Sequence, residues 1–408
     1  MSAICTAGTY LPPWTGRDAR TRVAGPDEDA VTMAVAAGRA AEAPALARRV
    51  VLVSRDLPLL EGGSGAALLA GLSLDADVPV REVLGGAPAA LDEILAATPG
   101  TVVIAVDDSP AGAAAGAVVI GADGSGLAPV ARQTRSLPIV ARHPDGSRHV
   151  YADPRLHREL GTAATLARLD LGASEPVVAA AGLGAKQLGG RQSVGVAFAT
   201  GSAASMVRAL IAAIEQKAQG LAVAVEQASG TAAALTAGPC RIRRDEPAGR
   251  PVPQGALSEG GGIPISLAAY ARAFEPKLRW EAAVSDTAGL DQQPQFPPRI
   301  RVTTEGKLAA GSRTVPLPRT GTVYTETTVC LPVPDLSAPY SLAVIQLDGS
   351  PVRALLKVTG VAAGEVEIGQ RGSVVFRRIA MRGGIPDYGH SFLPATAEIP
   401  LDRGELAS

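Results

Sequence analysis

Short apolar runs alternate with longer alanine-rich runs over the first 236 residues or so. The short runs, rich in Val, Ile and Leu, predict β-strands, and the longer runs have the spacing of helices. Strands are predicted at 4–11, 50–54, 80–84, 101–106, 117–120, 177–181 and 221–225, and helices at 27–41, 65–72, 87–97, 154–169 and 203–219. The pattern occurs twice, before and after about Gly126, which predicts an α/β domain built from two similar βαβαβ halves.

The second part of the chain has a different composition and a different pattern of apolar residues. Residues 238–298 are rich in Pro, Gly and charge, with one helix-like insert at 265–274, and predict a connector. Strand-like runs follow at 321–329, 340–347, 352–358 and 373–378, separated by turn residues, and their number fits a small five-stranded OB barrel. The predicted domains are therefore 1–237 (α/β), 238–298 (connector) and 299–400 (all-β barrel).

Composition removes several classes of function. The 408 residues carry 38 Lys+Arg against 39 Asp+Glu and few aromatic residues, so both the charge and the stacking surfaces of a general nucleic-acid binder are lacking. No apolar run is long enough to span a bilayer. The three cysteines include no C-x-x-C pair, which predicts a reduced, cytoplasmic protein without disulfides, and Cys5 and Cys330 lie in apolar or β runs that predict buried, inert thiols.

Short sequence motifs give little indication of a catalytic, cofactor or metal site. Gly182 and Gly184 follow a predicted strand, but Gln187 stands where a dinucleotide-binding loop needs its third glycine, so a turn is the favoured interpretation. The histidines at 143, 149 and 157 are six and eight residues apart, spacings that do not place the three on one helical face, and His390 lies in a polar tail. Cys240 is the cysteine with basic neighbours, although a linker is a poor place to hold a nucleophile.

Two segments near the N-terminus carry a resemblance to a known family. The sequences GTYLP at 8–12 and GPDEDAVTMA at 25–34 resemble the start of bacterial and archaeal hydroxymethylglutaryl-CoA synthases, and QASGT at 227–231 resembles a later part. The resemblance extends weakly to about Thr236 and continues into Tyr270. It implies the thiolase fold, whose two βαβαβ halves agree with the repeated pattern.

A second resemblance covers the C-terminal part. The segments FPPR at 296–299, GTVY at 321–324, PY at 339–340, AVIQLD at 343–348 and IG at 368–369 resemble the OB-fold domain that accompanies thiolases and hydroxymethylglutaryl-CoA synthases in acyl-CoA-processing complexes. Relatives often carry a four-cysteine zinc ribbon near FPPR, whereas this chain has no Cys between 241 and 329. We therefore expect no zinc and no other cofactor.

The synthase resemblance also marks what is missing. The family uses a Cys nucleophile, a Glu acid/base, and His and Asn near the thioester carbonyl, as Claisen chemistry requires. Those positions hold Leu84 for the Cys, Arg55 for the Glu, Ala180 for the His and Ala197 for the Asn. Four such replacements predict a synthase-like scaffold without catalytic residues.

The expected function follows from a retained scaffold with lost chemistry. The chain is expected to be a non-catalytic subunit, a pseudoenzyme, that scaffolds or guides acyl-CoA to a separate thiolase-type enzyme, with a homodimer as the other expected assembly. The OB resemblance implies that Arg299 and Arg301 contact the phosphates of a coenzyme A thioester, against the alternative that both are solvated. The rival hypothesis is an active acyl-CoA condensing or cleaving enzyme that uses displaced residues, namely Cys240, Asp56 or one of the histidines at 143–157.

Overall fold

The structure is a computed structural model that describes most of the chain. The described residues are 2–59, 63–109, 111–134, 140–143, 147–151, 153–172, 175–184, 186–188, 193–256, 258, 274–286, 293–298, 311–332, 334, 336–382 and 384–395.

The first half of the α/β part contains four helices and six strands. In chain order they are β1 (Ser2–Tyr10), β2 (Trp14–Thr15), α1 (Ala30–Ala40), α2 (Ala43–Leu46), β3 (Arg49–Ser54), α3 (Ser64–Leu72), β4 (Val80–Leu84), α4 (Ala87–Ala96), β5 (Thr101–Ser109) and β6 (Gly112–Gly121). Helix α1 begins at Ala30, three residues later than predicted, because Asp29 is its N-cap: the carboxylate of Asp29 accepts hydrogen bonds from the backbone N–H groups of Val31 and Thr32 and completes a capping box.

The second half repeats this arrangement with three helices. Its elements are β7 (Ser125–Thr134), β8 (Val140–Arg142), β9 (Arg148–Val150), α5 (Pro154–Leu160), α6 (Thr162–Arg168), β10 (Val177–Ala181), β11 (Ser193–Phe198), α7 (Ala203–Glu215), β12 (Gly220–Glu226) and β13 (Ser229–Thr236). The single helix predicted at 154–169 is therefore two short helices, which separate at Gly161, the N-cap of α6.

The two halves share one strand order. The order is β4-β3-β5-β6-β1 in the first half and β11-β10-β12-β13-β7 in the second. When the five strands of each half are counted along the chain, both orders read third, second, fourth, fifth and first strand. Strands β1 and β7 pair in antiparallel fashion and join the halves into one continuous sheet. The repeated βαβαβ pattern predicted on either side of Gly126 is confirmed.

Helices lie in three layers against this sheet. Helices α4 and α7 pack between the two halves, in a buried cluster that takes residues such as Val103 and Ile120 from one half and Val178 and Ala222 from the other. Helices α1 and α3 cover the outer face of the first half. Helix α6 and Leu169, which follows it, cover the outer face of the second. Strands buried on both faces explain the nearly continuous apolar runs in the sequence.

The connector contributes strands of its own. It contains β14 (Arg241–Asp245), β15 (Arg250–Pro251) and β16 (Glu281–Ser285), and β17 (Ser312–Pro316) follows. Strand β14 pairs in parallel with β1 and β16 pairs with β17. The sequence of β14, RIRRD, has no apolar run, so its strand conformation depends on the β1 edge beside it. Most of the insert predicted at 265–274 lies outside the described residues, and the three domain boundaries stay a prediction.

The C-terminal part is a closed five-stranded barrel. Its strands are β18 (Thr320–Val329), β19 (Tyr340–Leu347), β20 (Arg353–Val358), β21 (Arg371–Arg382) and β22 (Ile385–Pro394), in the order β18-β19-β20-β22-β21. Residues of β18 to β20 alternate between the barrel core and the outside, as the sequence pattern predicts. The four predicted strands are confirmed, and β22 is an addition.

Two predictions from the sequence are wrong in this part. His390 does not lie in a polar tail but is buried within β22, where its Nδ1 lies 3.1 Å from the carbonyl oxygen of Lys277. Cys330 is not buried, because it follows the last residue of β18 and is exposed. Among the described residues, no helix is long and apolar enough to cross a membrane.

Candidate functional site

The N-terminus of α4 lies where the two halves of the α/β part meet. Strand β4 ends at Leu84, and Gly85 and Gly86 lead into the helix. A Cβ atom at Gly86 would lie 2.5 Å from Oε2 of Glu226, 2.6 Å from the carbonyl oxygen of Gly201 and 2.8 Å from Nη2 of Arg55. The backbone N–H of Ala87 donates to the Gly201 carbonyl at 2.9 Å. Protein atoms therefore leave no room for a side chain at Gly86, the N-cap of this helix.

Arg55 and Glu226 form an ion pair across the two halves. Nη2 of Arg55 donates to Oε2 of Glu226, and the hydroxyl of Ser229 donates to Oε1 at 3.0 Å. The side chains are 39% and 21% exposed. The positive end of a helix dipole attracts anions, and here the protein's own carboxylate lies at that end. An external anion such as a thiolate or an oxyanion would have to displace Glu226.

The equivalent helix of the second half has a matching arrangement. Asp107 on β5 accepts hydrogen bonds from the backbone N–H groups of Ala203 at 3.2 Å and Ala204 at 2.9 Å, at the start of α7. Burial raises the pKa of this carboxyl to about 6, against the opposing effect of hydrogen bonds from Ser202 and the backbone. A carboxylate thus lies near the N-terminus of each central helix, but Asp107 accepts backbone hydrogen bonds at α7 whereas Glu226 makes no capping hydrogen bond to α4.

The four positions that the resemblance assigns to catalysis do not form one cluster. Leu84 ends β4 with its side chain 76% exposed, and Arg55 follows β3. Ala180 is buried on the outer face of the second half with Leu169, away from α4. Ala197 lies on β11, the edge strand of the sheet, and is exposed. The side chains of Leu84, Ala180 and Ala197 offer no nucleophile and no hydrogen-bond donor, and the guanidinium of Arg55 is paired with Glu226. That catalysis is absent at these positions stays a prediction.

Glu226 was not identified from the sequence. It lies 171 positions from Arg55, so no local spacing connects the two residues. The available signal was weak: a charged residue ends an apolar strand, and the C-terminal ends of parallel strands are where open α/β sheets place their functional side chains.

The displaced candidates lie in different places. Burial raises the pKa of the Cys240 thiol to about 11, with the neighbouring Cys5 adding to the effect, so Cys240 is less able to form a thiolate than an ordinary cysteine. The carboxylate of Asp56 accepts a hydrogen bond from the backbone of Asp108. His143 and His149 are exposed in the β8–β9 hairpin with ring centroids 4.2 Å apart.

Some of the site residues predicted from the sequence lie outside the residues that the structure describes. Arg299, Arg301 and Tyr270 lie outside the described residues, as does the side chain of His157. Within the described residues, no group of three or more His, Cys, Asp or Glu side chains could hold a metal ion.

The barrel is joined to the α/β part through a buried network of charges. Nη2 of Arg377 on β21 donates to the Tyr10 hydroxyl at 3.0 Å and lies 3.4 Å from Oε1 of Glu28, and Tyr10 donates to the same carboxylate. The hydroxyl of Tyr388 donates to Asp29 at 2.9 Å, beside the start of α1. The arginine and glutamate side chains are 4% and 1% exposed. Contacts of this kind hold the barrel against the N-terminal end of α1.

Comparisons with known proteins agree with the two-part architecture. The model of the family described as "ChsH2, C-terminal OB-fold domain" matches residues 314–377, which include most of the barrel. The C-terminal barrel is an OB-fold domain. No curated protein matches the chain. The first part, with its repeated halves around two central helices, has a thiolase-like fold.

Several solved structures are similar to part of this chain. The 3-oxoacyl-(acyl carrier protein) synthase III of Pseudomonas aeruginosa PAO1 is 16% identical, and the match covers 58% of this chain and 98% of that one with a TM-score of 0.44. A hydroxymethylglutaryl-CoA synthase complexed with CoA is 14% identical over 58% of this chain and 82% of that one, with a TM-score of 0.42. A structure described as an "Ltp2-ChsH2(DUF35) aldolase" is 21% identical over 31% of this chain and 94% of that one, with a TM-score of 0.26.

Proposed function

We propose that this chain is a non-catalytic subunit of an acyl-CoA-processing complex, in which a separate thiolase-type enzyme supplies the chemistry. The observation that carries the proposal is the Arg55–Glu226 ion pair beside Gly86 at the N-terminus of α4, which places an internal carboxylate there. In this role the chain scaffolds the complex or guides acyl-CoA to its partner.

The chemistry of acyl transfer supports the proposal. Claisen condensation needs a nucleophile to carry the acyl group, a proton acceptor, and donors that stabilise an oxyanion. The three residues before α4 are Leu84, Gly85 and Gly86, so a shift of one or two positions in the resemblance still gives no thiol. A carboxylate at the helix N-terminus would also repel a thiolate formed there.

The OB-fold domain supports a partner. The family that its sequence matches takes its name from ChsH2, and the printed description of one similar structure joins ChsH2 to a second component, Ltp2. For this chain, a thiolase-type partner subunit and a coenzyme A thioester held near Arg299 and Arg301 are proposals. Self-association is the competing outcome.

The proposal is tested by assaying acetyl-CoA and acetoacetyl-CoA turnover with the purified chain, alone and coexpressed with a thiolase-type protein, after size-exclusion chromatography with light scattering. The expected result is turnover only in a co-eluting complex. The matched variant Glu226→Gln, which removes one charge at nearly constant volume, should leave the activity of the complex unchanged. Turnover by the lone chain that Glu226→Gln abolishes would refute the proposal.

The rival hypothesis is an active condensing or cleaving enzyme with displaced catalytic residues. The raised pKa of Cys240 argues against that residue as the nucleophile. Mass spectrometry after incubation with labelled acetyl-CoA distinguishes the two: an acyl group on Cys240, lost in Cys240→Ala together with activity, would support the rival.

A further inference from the structure

A cleft lies between the α/β part, the connector and the OB-fold domain, and none of its lining residues belongs to α4. Its volume is about 60 Å³, which is room for several water molecules or a ligand of a few heavy atoms. Trp14 and Asp27 line it from the α/β part, Gln254 from the connector, and Tyr340 and Lys357 from the barrel. The cleft is thus lined by three separate segments of the chain.

Asp27 is the buried charge on one wall of this cleft. The residue is 6% exposed. Its carboxylate is one of three, with those of Glu28 and Asp245, that interact electrostatically with the buried guanidinium of Arg377. Because one cation faces three carboxylates, a cationic ligand in the cleft would find an attractive negative charge at Asp27.

Lys357 supplies the opposite charge on the barrel wall. Its ammonium group lies 5.7 Å from the centroid of the Tyr340 ring and forms no ion pair with the described residues. The two charges therefore line one cleft from different domains without pairing with each other. A ligand that carries both charges could satisfy both walls at once.

We propose that this cleft binds a small zwitterion of the amino-acid class, with its ammonium group on Asp27 and its carboxylate on Lys357. The Trp14 and Tyr340 side chains give the cleft aromatic walls, which suit the short carbon chain and the ammonium group of such a ligand. The small volume favours two to four carbon atoms between the charges, with the anionic end toward the open side. The inference does not depend on the proposed role in acyl-CoA processing.

The test is isothermal titration calorimetry of the full chain with glycine, β-alanine and 4-aminobutanoate, and with ethylammonium and propanoate as probes that carry one charge each. We expect at least one zwitterion to bind saturably in the millimolar range or tighter, and both single-charge probes to bind at least about tenfold more weakly, because each satisfies one wall only.

Asp27→Asn and Lys357→Met should each weaken binding of that zwitterion at least about tenfold, which corresponds to about 1.4 kcal/mol. Asp75→Asn and Lys217→Met, which change exposed charges outside the cleft, are the matched controls and should bind as the parent does. Thermal unfolding checks that each variant is folded, and the Lys357 variant tests the site even if Asp27→Asn fails to fold. Absence of saturable binding by all three zwitterions, or equal binding by the cleft variants and the controls, would overturn the proposal.

Discussion

Replacing Arg377 by Met is the sharpest test of how the two parts of the chain are held together. The guanidinium is buried between the domains, where it pairs with Glu28 and donates a hydrogen bond to the Tyr10 hydroxyl. Methionine keeps a similar length and most of the apolar contacts, so the change removes mainly the charge and its hydrogen bonds. Glu28 would then remain buried without its cation.

The expected cost is large for a single substitution. Removing one partner of a buried ion pair costs about 3–5 kcal/mol, because the remaining charge is neither solvated nor paired. Burial already raises the pKa of Glu28, and Arg377 opposes that effect. Without Arg377 the pKa of Glu28 rises further, so the folded variant takes up a proton that the unfolded chain releases. The loss of stability should therefore be greater at about pH 8 than at about pH 5.

The assay is urea denaturation followed by tryptophan fluorescence, since Trp14 lies at the cleft and Trp280 in the barrel core. Arg371→Met is the matched control on the same strand: it breaks a surface pair with Asp348 whose side chains are 58% and 38% exposed, and such pairs contribute about 0–1 kcal/mol. The double change Arg377→Met with Glu28→Gln should recover part of the lost stability. If Arg377→Met cost no more than Arg371→Met at either pH, the network would not hold the domains and the reasoning would be refuted.

Three further outcomes follow from single residues. The Asp107 carboxyl should titrate near pH 6 by carbon NMR, because burial raises its pKa to about 6; a midpoint near 4 would show that the hydrogen bonds at α7 outweigh burial and would contradict this prediction. Iodoacetamide should label exposed Cys330 well before Cys240, whose pKa burial raises to about 11, and equal labelling rates by mass spectrometry would count against that burial. Gly86→Ala should lower the unfolding free energy by about 1–3 kcal/mol through overpacking, while Gly172→Ala, with open space around it, should not.

The apolar pattern predicted most of the fold because most elements bury a face. Seven strands of the α/β part, namely β1, β3, β4, β5, β6, β10 and β12, and four strands of the barrel were visible as apolar or alternating runs. The other strands of the α/β part, among them β7, β11 and β13, were not predicted. Strands β14 and β22 were not visible either, because RIRRD and IPDYGHSFLP lack such a run and contain charge, Pro or Gly. Both take their conformation from a neighbour, β14 from β1 and β22 from β21. Tertiary pairing of this kind leaves no local signal.

For the candidate site too, some features follow from the residue types in the sequence, and others depend on tertiary contacts that only the structure shows. That Leu84 cannot carry an acyl group follows from its side chain alone, so missing chemistry could be predicted. The position of Glu226 beside Gly86 could not be predicted, since Glu226 and its partner Arg55 are 171 positions apart. The Arg55–Glu226 ion pair also changes what the missing catalytic residues imply. A site that had merely lost its nucleophile would leave the helix N-terminus open to an anion, whereas here an internal carboxylate lies at that end and Arg55 neutralises it. Restoring a thiol at this helix would therefore not restore catalysis unless Glu226 were also removed, because the anion site that a thiolate needs is already occupied.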